Sequence, residues 1–258
     1  MSERDITGLL FAAEMYGVQL DQLAARLGIS ETGARATVAR WRGQGYAESA
    51  RLGPGRAWVW LTRAGLAACG LPYQPVAPAL SRLAHLRAVT AVRLALESTA
   101  SYAPAGAYWR SERRLRARAA RRVPAREHLP DGEVHWPDAG PQPASVSWAG
   151  ECWAIEAELT RKTIRRTAAI MTEILTRTGD YGCPAAEVRV PGWPPRHTRV
   201  LYVCSAAARP VALRARGTLG GSLAGRVEVR SLPPGAGLAG LAGPAPGAAS
   251  STAGAAGS

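Results

Sequence analysis

In the segment EAELTRKT, residues 156–163, Glu156 and Glu158 stand two apart, so an extended chain turns both carboxylates to one face, and Lys162 follows closely. Lys162 is the only lysine; the rest of the chain's 32 Lys and Arg residues are arginines. Carboxylates sharing one face are the residue types that hold a hard divalent cation. A compact ammonium beside them orients an attacking group or steadies developing negative charge, which the broad guanidinium fork does less well. The alternative is ordinary: a hydrophilic corner between strand and helix is a common place for a solvated lysine. Which holds depends on the elements that position these residues.

With 258 residues, 47% of them hydrophobic, the chain can bury a sizeable core in one or two domains, and its internal breaks favour two. The formal net charge of +13 and pI of about 10.7 point to an anionic partner such as nucleic acid or an acidic membrane surface. Abundant Ala, Gly, Pro and Arg with almost no Lys is also the mark of GC-rich coding, which accounts for part of that charge. The N-terminus, MSERDITGLL, carries acids and no long apolar run, so neither a secretion signal nor a membrane anchor is expected. No stretch approaches the ~20 apolar residues of a spanning helix. Cys69, Cys152, Cys183 and Cys204 are scattered and form no CxxC pair, which argues against zinc and for a reducing, cytoplasmic setting.

Residues 233–258 are almost all Gly, Ala, Pro and Ser, bury too little to offset chain entropy, and are expected to form a disordered tail. Pro72, Pro75 and Pro78 interrupt any helix and mark 72–80 as a linker. Within 1–71, Ile6, Leu9, Leu10, Ala13 and Met15 make a helical stripe, and VQLDQLAARLG reads as a second helix closed by Gly28. A third follows Ser30 as N-cap, with Ala34, Val38 and Trp41 on one side. YAESARL and RAWVWLT, on either side of Gly53–Gly55, read as a hairpin, and RAGLAAC as a short helix.

Residues 81–232 read as a mixed α/β (α+β) unit. A helix over 81–100 precedes SERRLRARAARR, an arginine-rich helix in a run of eight arginines from Arg110 to Arg126. Such a run is commonly just solvated, or serves as a phosphate-contacting strip through residues such as Arg113 and Arg114. Strands are expected at 133–136, 152–159, 199–205 and 226–232, with a helix over 163–178. In 152–159, Trp153, Ile155, Ala157 and Leu159 alternate with Cys152, Ala154, Glu156 and Glu158, predicting one core face and one ending in two acids. The following helix repeats Ile164, Ala168, Met171 and Leu175 and leaves Arg165, Arg166 and Arg177 outside that stripe.

Three short helices and a two-stranded hairpin resemble the winged helix-turn-helix family. That resemblance implies that the third helix enters a DNA major groove, with Arg35, Arg40 and Arg42 facing the duplex and Arg51 and Arg56 flanking the wing. HLPDGEVHW and WAIEAELTRKTIRR, framed by helices and strands, resemble the PD-(D/E)xK nuclease superfamily. Behind a winged helix they resemble, more narrowly, the actinobacterial replication-relaxation family over roughly residues 1–232. The nuclease resemblance implies a Mg²⁺ held by Asp131 and Glu156, with Lys162 at the reacting phosphate and Glu158 beside it. The superfamily's usual lysine stands two residues after the second acid; Glu158 has that place here, and Lys162 lies six residues past Glu156.

Asp138, in WPDAG, competes with Asp131 but sits in a turn-like setting before Gly140 and Pro141, and Glu112 is explained equally well by a helix start. His85, His128, His135 and His197 show no ligand spacing; His128, near Asp131, is the one worth a mutant. The expectation is a double-stranded DNA-binding protein of plasmid replication or mobilisation with a metal-dependent nicking activity. Two alternatives stand beside it: a non-catalytic DNA-binding regulator of transcription or replication, and an adaptor contacting a relaxase or replication protein.

Overall fold

The computed structural model describes residues 1–53, 55–99, 106–119, 128–136, 150–179, 181 and 195–232. The tail at 233–258, Asp138, Cys183, Arg121, Arg122 and Arg126 lie outside the described residues.

The N-terminal part runs α1 (Glu3–Glu14), β1 (Val18–Gln19), α2 (Leu20–Leu27), α3 (Glu31–Gly43), β2 (Ala47–Ala50), β3 (Trp58–Leu61) and α4 (Arg63–Ala68). Its strands form an antiparallel sheet in the order β1-β3-β2. Local chemistry explains most of this. Ser30 Oγ accepts the Gly33 N–H at 3.1 Å, Gly28 closes α2 at φ +63°, and Ala34, Val38 and Trp41 are buried. Two expectations shift. Ile6 is exposed, the buried side of α1 being carried by Leu9, Phe11, Ala12 and Ala13. Val18, read as the start of the second helix, instead pairs with Val59. Tyr16 and Gly17 have positive φ and turn the chain there, and a Cβ on Gly17 would lie 2.7 Å from Pro78 Cγ.

After a 3₁₀ turn at Leu80–Arg82 come α5 (Leu83–Glu97), β4 (Tyr108–Ser111), α6 (Glu112–Ala119), β5 (Gly132–His135), β6 (Cys152–Glu158) and α7 (Ile164–Thr176). They are followed by β7 (Arg199–Cys204), α8 (Arg209–Gly217), α9 (Gly221–Ala224) and β8 (Val227–Ser231). The sheet order is β4-β5-β6-β7-β8, antiparallel from β4 to β6 and parallel from β6 to β8. The α/β expectation holds; β4, α8 and α9 were not anticipated.

All seven residues of β6 are buried, Glu156 and Glu158 included. Trp153, Ile155 and Ala157 share a core with Val89, Val92 and Leu96 of α5. Ala154, on the opposite face, packs with Ile170, Met171, Ile174 and Leu175 of α7 and with Ala212 and Ala215 of α8. A central strand covered on both sides must bury whatever its sequence places there. Arg177, expected outside the α7 stripe, is buried at the helix end and lies over the Tyr181 ring at 4.6 Å.

The 72–80 linker divides the sequence but not the interior. One apolar cluster runs from Leu9, Phe11 and Trp41 through Val89 and Val92 to Ile155 and Val203. Polar contacts cross the same boundary: Gln22 Nε2 donates to the Arg87 carbonyl at 2.9 Å, and Arg87 forks onto Asp21 at 2.8 and 3.1 Å.

Candidate functional site

The β5–β6 ladder pairs Gly132 with Ile155, and continuing it by one residue sets Asp131 across from Glu156. Asp131 lies just before the start of β5, and its Oδ2 accepts the Ala157 N–H at 2.8 Å, continuing the ladder with a side chain. Its Oδ1 is 2.8 Å from Nε2 of His85 on α5. That hydrogen bond raises the His85 pKa against the opposing effect of burial.

Glu156 is 5% exposed, and its Oε1 is 2.8 Å from Nε2 of His128. Burial pushes the Glu156 carboxyl up to about 7; His128 and Lys162 pull it down, and the charge on Asp131 adds to the rise. Burial acts to lower the His128 pKa, yet its hydrogen bond to Glu156 leaves it raised. The backbone N–H of His128 donates to Glu173 Oε1 of α7 at 3.3 Å.

Glu158 forms an ion pair with Lys162, which folds back across the corner between β6 and α7. Glu158 also accepts from the Thr160 N–H and Oγ1, each at 3.4 Å. Tyr202 of β7 is the register partner of Glu156 and shares its face. The Tyr202 hydroxyl is buried without a hydrogen-bond partner. Burial, then the charges of Glu156 and Glu158, hold the phenol protonated well above its ordinary range. Asp131, Glu156 and Lys162 therefore share one electrostatic neighbourhood, with Lys162 paired to Glu158.

Among the described residues, one set of three His, Cys, Asp or Glu side chains brings its ligand atoms within 4.8 Å of one another: Glu133, Cys152 and His197. It is a satisfied ion network. Arg196 grips fully buried Glu133 through Nε at 2.8 Å and Nη2 at 3.0 Å, Arg110 adds 3.3 Å, and His135 and His197 lie at 2.9 and 2.8 Å. Two guanidiniums already fill the role of a cation there, and burial raises the Cys152 thiol well above its usual range.

The arginines expected at DNA divide. Arg35, Arg42 and Arg51 are exposed, as is Arg114. Arg56 is exposed and 3.0 Å from Glu31, which also lies 3.8 Å from Arg35. Arg40 pairs with Asp5, whose Oδ1 also takes the Trp41 Nε1–H at 2.9 Å. Arg113 corrects the expectation: it is buried, donates to the Ala13 carbonyl at 2.7 Å and to the Gln74 carbonyl, and lies over Tyr16 and Tyr73. Glu112 accepts from Arg82 at 2.9 Å and from Arg116.

Each of the chain's four histidines rests on a carboxylate, His85 on Asp131, His128 on Glu156, and His135 and His197 on Glu133. Sequence spacing concealed these pairs, because every one except His135–Glu133 joins distant segments. The signal for Tyr202 was faint: a lone phenol in a strand whose other buried residues are apolar. No family model, curated protein or solved structure matches the chain.

Proposed function

We propose that the chain binds double-stranded DNA through α3 and the β2–β3 hairpin, acting as a winged helix-turn-helix, and cleaves a phosphodiester at Asp131, Glu156 and Lys162. The pairing of Asp131 with Glu156 across the β5–β6 ladder carries this reading. Two further features support it: Lys162 folds back to pair with Glu158 despite its late place in the sequence, and β5, β6 and α7 follow one another in the order in which the two quoted segments occur.

Asp131 and Glu156 would hold a divalent cation such as Mg²⁺, and the orphaned Tyr202 hydroxyl on their face is a donor still seeking an acceptor, so the residues fit such a group. The cation supplies Lewis-acid polarisation of a phosphate oxygen. Lys162 steadies the charge that develops there, and Glu158 holds the ammonium in place.

Plasmid nicking in Mg²⁺ or Mn²⁺ tests the reading. Wild type is expected to nick, Glu156→Ala to lose the activity, and Lys162→Arg to fall by about 10²-fold while remaining folded. Equal nicking by the arginine variant would remove Lys162 from the chemistry. Imidazoles on both carboxylates favour a second reading, a DNA-binding regulator in which His85 and His128 supply the positive charge of an absent cation. Duplex binding without nicking in either metal would select it.

The DNA surface has its own test. Because Arg40 also serves Asp5, the clean variant is Arg35→Ala with Arg42→Ala. Two lost phosphate contacts should reduce the log-log salt slope of duplex binding by roughly 1.8. An unchanged slope would place DNA elsewhere or nowhere.

A further inference from the structure

Resting on that reading's choice of a nucleic-acid partner, we propose that Arg165, Arg166 and Arg209, together with Arg161, form a second phosphate-contacting surface, carried by α7 and α8 rather than by the winged helix. Strands β6 and β7 are parallel, so both run out at one edge of the sheet, the edge at which Asp131 precedes β5. The two corners beyond them are fastened to each other. The Ser205 N–H donates to the Glu158 carbonyl at 2.9 Å, Ser205 Oγ to the Leu159 carbonyl at 2.8 Å, and Arg161 Nε to the Ala207 carbonyl at 3.0 Å. From these corners α7 and α8 set out and pack on each other. The exposed side chains of Arg161, Arg165, Arg166 and Arg209 are thereby collected from two helices onto one rim, at the edge that also carries the acids.

Placement and pairing carry the inference. Arg165 and Arg166 stand in the first turn of α7, which has no acid there, and Arg209 opens α8, again with no acid in its first turn. A helix start is the positive end of the backbone dipole, where a cation is unfavourable and a carboxylate is preferred. Among the described residues no carboxylate pairs with Arg165, Arg166 or Arg209, whereas Arg40, Arg56 and Arg87 each have one. The charge on this rim is therefore uncompensated and self-repelling, and an anion seated there offsets both effects. Guanidinium forks match phosphate oxygens two at a time. A run of phosphates fits better than a lipid surface, because the exposed neighbours Thr163, Ala169, Ala206 and Ala207 are small and supply no apolar belt to enter a bilayer.

Fluorescence-anisotropy titration of the full chain with a duplex of about three turns, over a series of salt concentrations, tests this. Arg165→Ala, Arg166→Ala and Arg209→Ala together should lower the log-log salt slope by roughly 2.7, about 0.9 for each phosphate contact. Arg161 is left in place because it fastens the corner. The same fall is expected with Arg35→Ala and Arg42→Ala already present, since the two sets of residues are separate. A lysine set, Arg165→Lys, Arg166→Lys and Arg209→Lys, keeps the charge and should keep most of the slope. A slope unmoved by the alanine set overturns the proposal, and so does an equal loss in the alanine and lysine sets, which would trace to folding. Without DNA the Tm of the alanine variant should not fall, because cations have left positive helix ends; a clear fall would assign these arginines to holding the fold and overturn it. Capture by phosphatidylglycerol vesicles or polyglutamate that depends on the three arginines, with duplex binding intact, overturns it as well. A slope lowered by the α7 and α8 set but unmoved by the Arg35 and Arg42 set sustains it while the winged-helix reading falls.

Discussion

Glu133→Ala is expected to cost about 3 to 5 kcal/mol, the range for removing one partner of a buried ion network, and so much of a typical domain's stability. The side chain is fully buried, and its loss leaves Arg196, Arg110 and His197 facing one another without their shared anion. Urea denaturation of the variant measures the cost; a loss below about 1 kcal/mol would show that these cations find other partners. Acid should act on the same contact. Burial works to raise the Glu133 carboxyl, but hydrogen bonds from His135, His197 and Arg196 prevail and hold it far below the usual carboxylate range. A depressed folded-state pKa contributes stability that is fully present above the ordinary glutamate value, ~4.3, and is lost as pH falls below it. The stability of Glu133→Gln should therefore decline less between pH 5 and pH 3, on the order of that window, than wild type's.

Gly132→Ala should destabilise the chain by roughly 1 to 3 kcal/mol and disturb the acid site at the same time. A Cβ there would fall 2.1 Å from Trp109 Cζ2 and 2.6 Å from Cη2. The indole cannot simply retreat, because Trp109 is buried in the main core with the Arg93 guanidinium 5.9 Å from its ring. Relief must come from β5, and β5 carries Asp131 at its entrance. The Asp131 bond to the Ala157 N–H should weaken, visible as faster hydrogen exchange at Ala157 in addition to a lower Tm. Pairing the change with Trp109→Leu makes room and should recover part of the loss. Strict additivity of the two substitutions would show that the collision is not the cause.

Where local chemistry decides, the sequence was readable. The Ser30 cap, the Gly28 helix end and the Ala34, Val38 and Trp41 stripe each depend on neighbours within a few residues. Asp131 and Glu156, singled out in separate segments of the sequence, stand opposite each other when the register of β5 and β6 is continued by one residue. What escaped depends on distant partners. Arg113 looks like any other arginine in its run; only the carbonyls of Ala13 and Gln74, far away in the sequence, turn it inward. The alternation in β6 separated its two faces; that both are buried depends on α5 on one side and α7 and α8 on the other, which the strand alone does not reveal. β4 offered four residues with Trp109 its sole buried large apolar side chain, too short a pattern to register. Pro210, at the first turn of α8, was a start signal passed over.

The continuous apolar cluster beneath the linker has a geometric outcome. A joint sealed by Leu9, Phe11 and Trp41 on one side and Val89, Ile155 and Val203 on the other does not swing as two beads on a string would. The exposed side of α3 and the Asp131 end of the sheet are thus held at one fixed separation, as two marks on a ruler are. If, as proposed, α3 holds a duplex, which repeats every ~10 base pairs, any second contact made from the sheet would fall at a constant offset along its axis.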